Sequence, residues 1–158
     1  MSTLIGGKFL TFSLGREEYG VSIGLVKEIN GMMDITPVPG APHYIKGVIN
    51  LRGKIVPVMD LRLRFGLPEA EYTQRTCLIV FEVGEKAKRL FSIAVDSVSE
   101  VLNIQTAEME QPARYSEQNE QFLLGLGKTK GKVVLLLDVA RVTDVILVDS
   151  MEQIGGKI

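Results

Sequence analysis

Polar and apolar residues alternate along residues 8–14, which places Leu10, Phe12 and Leu14 on one face. That period of two predicts a half-buried strand. Residues 15–18 turn, and residues 19–23 alternate again. Residues 24–29, carrying Val26, Lys27, Glu28 and Ile29, read as a short turn of helix or a kinked strand. Pro37, Pro39, Pro42 and Gly40 rule out regular structure across residues 34–44 and predict a rigid loop. The stretch that organises the chain follows, at residues 47–61. Val48-Ile49 and the run from Ile55 to Met59 flank a polar corner, Asn50-Leu51-Arg52-Gly53. Two β-branched runs joined by a short glycine-containing connection predict a hairpin. Asp60 is placed to cap a short helix over residues 61–65, which Gly66 and Pro68 stop. Pro57 has no backbone donor, so its strand is expected at a sheet edge or at a bulge.

The same pattern then starts again. Ile79, Phe81 and Val83 stand where Leu10, Phe12 and Leu14 stood, and Gly84 follows as Gly15 did. Residues 90–95 match 19–23, and Val98, Glu100 and Val101 repeat Val26, Glu28 and Ile29. A polar segment, residues 105–121, replaces the proline loop. Gly125, Gly131, Lys132, Val134 and Asp138 echo Gly47, Gly53, Lys54, Val56 and Asp60. Such self-similarity indicates duplication of one supersecondary unit, with a first repeat over about residues 8–70 and a second over about 76–143. Two copies of a five-stranded unit predict an all-β fold of two small packed barrels with a few short helices, because closure removes exposed strand edges. Each copy is near the size at which a lone core is marginal, so the two should fold as one unit. The corner diverges between the copies: Lys128-Thr129-Lys130 replaces Asn50-Leu51-Arg52, and Leu135 replaces Pro57. Residues 144–158 form an apolar-to-glycine tail whose end is expected to fray.

Composition narrows the chemistry. The 158 residues hold 18 basic and 19 acidic side chains, a formal net charge of −1, which argues against a broad footprint for nucleic acid or anionic membrane. With 6% aromatic residues and no Trp, an oligonucleotide- or carbohydrate-stacking barrel is disfavoured as well. No apolar run approaches the roughly 20 residues that span a bilayer, and no signal-like core opens the chain, so a cytoplasmic protein is expected. Cys77 is the one cysteine and His43 the one histidine, which excludes an internal disulfide and leaves no metal set; neither cofactor nor metal is expected. His43 reads as a loop residue and Cys77 as a small buried hydrophobe. Asp60 and Asp138, each just before a short helix, are better capping residues than a carboxylate pair. Gly53-Lys54 and Gly131-Lys132 lack the rest of a phosphate-binding loop. No catalytic constellation stands, so an enzyme is not expected. Arg62 and Arg64 read as a solvated helix face, and Lys27-Glu28 as a solvated edge. Arg52, at a stiff turn tip and lost from the second copy, reads as a recognition residue.

Asn-Leu-Arg-Gly at residues 50–53, preceded by Gly-Val-Ile and followed by Pro-Val-x-Asp-Leu on a duplicated β unit, resembles the CheW family of bacterial chemotaxis coupling proteins. The resemblance runs from Phe9 to about Thr143 and includes Glu18-Tyr19-Gly20, Val26-x-Glu28-Ile29, residues 35–39, Phe65-Gly66 and Gly125-Leu126-Gly127. It implies two five-stranded SH3-like barrels around a shared apolar centre, with the first strand crossing into the partner barrel. It also implies a non-catalytic, monomeric adaptor that bridges the cytoplasmic tip of methyl-accepting chemotaxis receptors to the regulatory domain of the CheA histidine kinase. Direct membrane insertion is not implied. An adaptor of a type IV pilus or developmental pathway is the alternative within the family. By the family pattern the receptor groove takes Val26, Glu28, Ile29, Gly47, Asn50 and Arg52, with Val98 across it. Gly53, Asp60, Gly131 and Asp138 are expected to serve as turn and cap residues.

Overall fold

The structure is a computed structural model that describes residues 5–84, 87–111 and 122–143. The expected tail and most of the second polar segment therefore lie outside the described residues. The strands are β1 (Gly7–Leu14), β2 (Glu17–Ser22), β3 (Val26–Gly31), β4 (Ile45–Leu51), β5 (Lys54–Asp60), β6 (Cys77–Val83), β7 (Arg89–Val95), β8 (Ser97–Ile104), β9 (Met109–Glu110), β10 (Leu123–Thr129) and β11 (Lys132–Leu137). Helix α1 (Leu61–Arg64) follows β5 and α2 (Val139–Thr143) follows β11; Ile23–Leu25 and Thr106–Glu108 are single 3-10 turns. The fold is all-β with short helices, as the alternation predicts, and consists of two SH3-like barrels.

The strand order runs β3-β6-β7-β5-β4 in one sheet and β8-β1-β2-β11-β10-β9 in the other. Replacing each strand of the first list by its repeat counterpart gives β8-β1-β2-β11-β10, so the barrels are related by pseudo-symmetry. Each barrel takes the later strands of one repeat, β3–β5 or β8–β11, and the opening hairpin of the other. The exchange thus involves two strands per repeat where the family resemblance implied one. A consequence is that one barrel is built from the contiguous stretch β3 to β7. The other is built from β1–β2 and β8–β11, and the chain passes between barrels at Ile23–Leu25 and at Asp96.

The reciprocal exchange explains the burial of β1. Leu10, Phe12 and Leu14 face the large central cluster shared by the barrels, together with Ile79, Phe81 and Val83 of β6. The opposite face is not solvated as the alternation suggested: Phe9 is 5% and Thr11 0% exposed, because that face lines the interior of a barrel. Each barrel interior holds a smaller cluster, one with Val56, Val58, Leu78 and Val80, the other with Phe9, Ile104, Val134 and Leu136.

Two further expectations are corrected. Pro57 sits on β5, an interior strand between β7 and β4. It is tolerated because Val48, its partner across the hairpin, spends its own N–H and C=O on Thr36 (2.9 and 2.8 Å). Pro57 therefore turns its nitrogen towards β7, where the ladder begins only at Val58, and its carbonyl accepts from Ser92 Oγ at 2.7 Å. Nor are Arg62 and Arg64 a solvated face. Arg62 forms a two-point pair with Asp96 (Nε–Oδ1 2.8 Å, Nη2–Oδ2 2.7 Å), and Asp96 also accepts Gly15 N–H at 2.8 Å. The guanidinium and that N–H hold the Asp96 carboxyl below the ordinary aspartate range, guanidinium first. The Arg64 guanidinium lies over the rings of Tyr44 and Phe122 (4.7 and 4.8 Å), and its Nε donates to Val142 O at 3.1 Å. Phe65 stacks on Phe122 and meets Tyr19 at a tilt, which ties the same helix to the centre.

Asp60 caps α1 through Oδ1, which accepts from the N–H groups of Arg62 and Leu63. Its Oδ2 accepts from Tyr72 Oη at 2.8 Å, pinning the connection between the repeats. Burial and this anionic partner push the Tyr72 phenol upward. Asp138 plays the lesser version, accepting from Arg141 N at 3.3 Å. Asp60→Ala removes both a cap and the acceptor of a half-buried phenol. It is expected to cost about 1–3 kcal/mol in denaturant unfolding. A variant of unchanged stability that no longer bound its partners would move Asp60 from a cap to a site.

Candidate functional site

The corner between β4 and β5 is tighter than the sequence suggested. Leu51 is the last strand residue and is buried, so Arg52-Gly53 alone makes the turn. Both have positive φ, +51° and +86°, the signature of a two-residue hairpin turn whose twist matches its strands. Lys130 and Gly131 repeat it at +52° and +74°. Arg52 and Lys130 are the two non-glycine residues with positive φ among the described residues, so the left-handed backbone belongs to the turn type and not to Arg52 alone. Asn50 Oδ1 accepts Gly53 N–H at 2.7 Å.

Arg52 is held at its far end as well. Its Nη2 lies 2.7 Å from Glu28 Oε1, with the Arg52 side chain 71% exposed. β3 and β4 are the terminal strands of their sheet, so this ion pair spans the seam where the barrel closes. The Arg52 guanidinium lowers the Glu28 carboxyl, and Glu28 in turn raises Arg52. Glu28 is thus not the solvated edge residue that the sequence suggested, while Lys27 is exposed and 3.6 Å from Glu82. The second barrel has a looser analogue, Lys132 to Glu100 at 3.5 Å.

A register shift between Val26 and Glu28 in the pairing of β3 with β6 sorts the remaining residues. Val26 stands opposite Phe81 and Ile29 opposite Ile79, both of the central cluster, so Val26 and Ile29 lie on that face. Glu28 stands opposite Val80, which lines the barrel interior, so it lies on the other face, toward Arg52. Val98 on β8 stands opposite Phe12 and, like Val26, packs partly buried against the central cluster. Ile29 is 42% exposed. The candidate residues thus form two groups, an apolar set (Val26, Ile29, Val98) bordering the shared core and a polar set (Glu28, Asn50, Arg52) at the seam. Gly47 belongs to neither. It lets the chain pass Thr36, whose carbonyl oxygen would lie 2.1 Å from a Cβ there.

Sequence reasoning missed Leu25, Ile55 and Val133, which are 45%, 50% and 52% exposed. Ile55 and Val133 occupy equivalent positions just after the two corners, as Ile29 and Val101 do on β3 and β8. Their strand alternation was legible, but which face remained uncovered was not. Among the described residues no group of three or more His, Cys, Asp or Glu could hold a metal ion, and no helix is long and apolar enough to cross a membrane.

Comparison with known proteins agrees with this architecture. The profile described as "CheW-like domain" matches residues 8–146. The chain is 40% identical over 139 residues to the chemotaxis protein CheW of Klebsiella aerogenes, covering 87% of this chain and 81% of that protein. It is 34% identical over 135 residues to the chemotaxis protein CheW of Rhizobium meliloti, covering 85% of each. The crystal structure of the scaffolding protein TtCheW from Thermoanaerobacter tengcongensis superposes with a TM-score of 0.81 at 33% identity, over 89% of this chain and 94% of that one. A duplicated, hairpin-exchanged pair of barrels, the Asn-Leu-Arg-Gly corner and this likeness along most of the chain lead to one assignment: the chain belongs to the CheW-like domain family of chemotaxis scaffold proteins.

Proposed function

We propose that the protein is a non-catalytic adaptor that bridges the cytoplasmic tip of methyl-accepting chemoreceptors to the regulatory domain of a CheA-type histidine kinase. Val26, Glu28, Ile29, Arg52 and Val98 would form the receptor side, with Asn50 at the corner next to Arg52 and Gly47 shaping the backbone behind them. The observation that carries this reading is the Arg52 corner. A guanidinium on a rigid two-residue turn, ion-paired to Glu28 of a strand whose other face carries the partly exposed Val26 and Ile29, suits the polar rim and apolar stripe of a helical hairpin. The proposal sets the protein in the cytoplasm, recruited to receptor arrays at the inner membrane. The kinase is assigned a separate surface, and the exposed apolar residues repeated on the two barrels (Ile55, Val133) are available for it.

The test is titration of Arg52→Ala against a soluble receptor cytoplasmic fragment and, separately, against the kinase regulatory domain. Receptor affinity is expected to fall about 30- to 1,000-fold, the range of a central arginine contact, with kinase affinity kept within about threefold. Thermal unfolding of the variant serves as the control for folding. Undiminished receptor affinity in a well-folded variant would remove Arg52 from the site. A loss that shrank to nothing at high salt would make it a rim charge.

A further inference from the structure

We propose that Asn50 is a positioning residue, one that steadies the Arg52-Gly53 corner and so aims the Arg52 guanidinium, rather than a residue that touches a partner. The inference rests on the reading of Arg52 as a receptor contact. In a two-residue corner the N–H of the second residue points out of the ladder and has no strand partner. Asn50 Oδ1 supplies that partner at 2.7 Å. Arg52 itself stands at φ +51°, a conformation that the turn type imposes although it is disfavoured for L side chains, and a bond across the corner restricts departures from it.

The second repeat provides an internal control. Lys130-Gly131 forms the same corner, but the residue at the place of Asn50 is Lys128. An ammonium has no acceptor, so it cannot take the Gly131 N–H. It reaches out to Glu110 Oε1 instead, at 3.0 Å. The hairpin therefore folds without the side-chain bond, and folding alone gives Asn50 no reason to make it. The bond occurs at the corner that carries Arg52. There the arginine is gripped twice, by its backbone through Asn50 and Gly53 and by its tip through Glu28 at 2.7 Å. A long side chain already restrained in one geometry has less freedom to lose on binding, which is what a recognition arginine needs.

The experiment combines amide exchange with a double-mutant cycle on the full chain, using a soluble receptor cytoplasmic fragment as the probe. Asn50→Ala is expected to speed exchange of the Gly53 amide and to weaken fragment binding about 3- to 10-fold, the worth of one hydrogen bond. Asn50→Asp keeps the acceptor and is expected to restore both. In the Arg52→Ala background the Asn50→Ala effect on binding should vanish, since nothing is left to aim. Additive losses would show that Asn50 contacts the partner itself and overturn the proposal. So would Gly53 exchange that is indifferent to Asn50. If Gly53 exchange responds as expected while neither Asn50→Ala nor Arg52→Ala changes binding, the corner device stands and the receptor reading of Arg52 is what fails.

Discussion

Gly47→Ala is expected to destabilise the protein by about 3 kcal/mol or more, a fall of roughly 6–12 °C in Tm for a chain of this size. Two costs coincide there. The residue has φ +144°, a region that side chains rarely adopt and that costs on the order of 1–3 kcal/mol. A Cβ would also lie 2.1 Å from Thr36 O, 2.7 Å from Thr36 C and 2.9 Å from Ile35 Cγ2. Two of those atoms are backbone, and Thr36 is fixed by its paired hydrogen bonds with Val48 (2.8 and 2.9 Å), so relief requires breaking that bridge. Gly53→Ala is the informative partner measurement. Its φ is +86° with nothing within 4 Å of a Cβ, so only the conformational cost applies, about 1 kcal/mol. Denaturant unfolding of the two variants side by side should separate them clearly. Equal losses would mean that Thr36 yields easily and that close approach is not what demands glycine at position 47. Any binding defect in Gly47→Ala then follows from the displaced proline loop, not from a lost contact.

The largest expected effect is on a fragment. Residues 76–158 comprise the second repeat, yet that repeat is not a barrel. The fragment keeps β6 and β7 without β3 and β5, on which they pair, and without β4, and it keeps β8, β10 and β11 without β1 and β2. β8 would lose its ladder to β1, and β11 its parallel pairing to β2. Leu10, Phe12, Leu14 and Tyr19 would leave the central cluster, exposing Phe81, Phe91 and Ile93 to water. We expect no cooperative thermal transition and collapsed amide dispersion. Residues 1–75 expressed together with residues 76–158 should instead recover both, because every ladder can form between the pieces. A fragment of residues 76–158 that unfolded cooperatively by itself would overturn this reading and make the repeats true folding units.

Much of the site was legible because it is local. Asp60 caps α1 as its place before Leu61 predicted, and Gly53 takes the positive φ that a short connection between two β-branched runs demands. The duplication was visible as spacing, down to the six residues that separate Gly47 from Gly53 and Gly125 from Gly131. These features depend on residues within a few positions of one another, where dihedral preferences and short hydrogen bonds decide the outcome. The Glu28–Arg52 pair was not legible, although both residues were singled out, because only closure of the barrel brings β3 against the β4–β5 corner.

The alternation of Leu10, Phe12 and Leu14 by itself determined that β1 is a strand and which of its faces is most apolar. It could not determine that Phe9 and Thr11 are buried too, since that depends on β1 joining β8 and β2 in one barrel while facing β6 in the other. The same limit applies to Pro57, Arg62 and Arg64. Pro57 lacks a donor wherever it stands, but Thr36 decided which side of the strand that gap would face. A cation on a four-residue helix reads as solvated until Asp96, 34 positions away, meets Arg62, and Val142, 78 positions away, meets Arg64. Local sequence sets the shape of each hairpin and cap through short-range sterics. Which hairpin enters which barrel is set by ladders and packing between segments far apart in the chain, and only the folded structure brings those segments together.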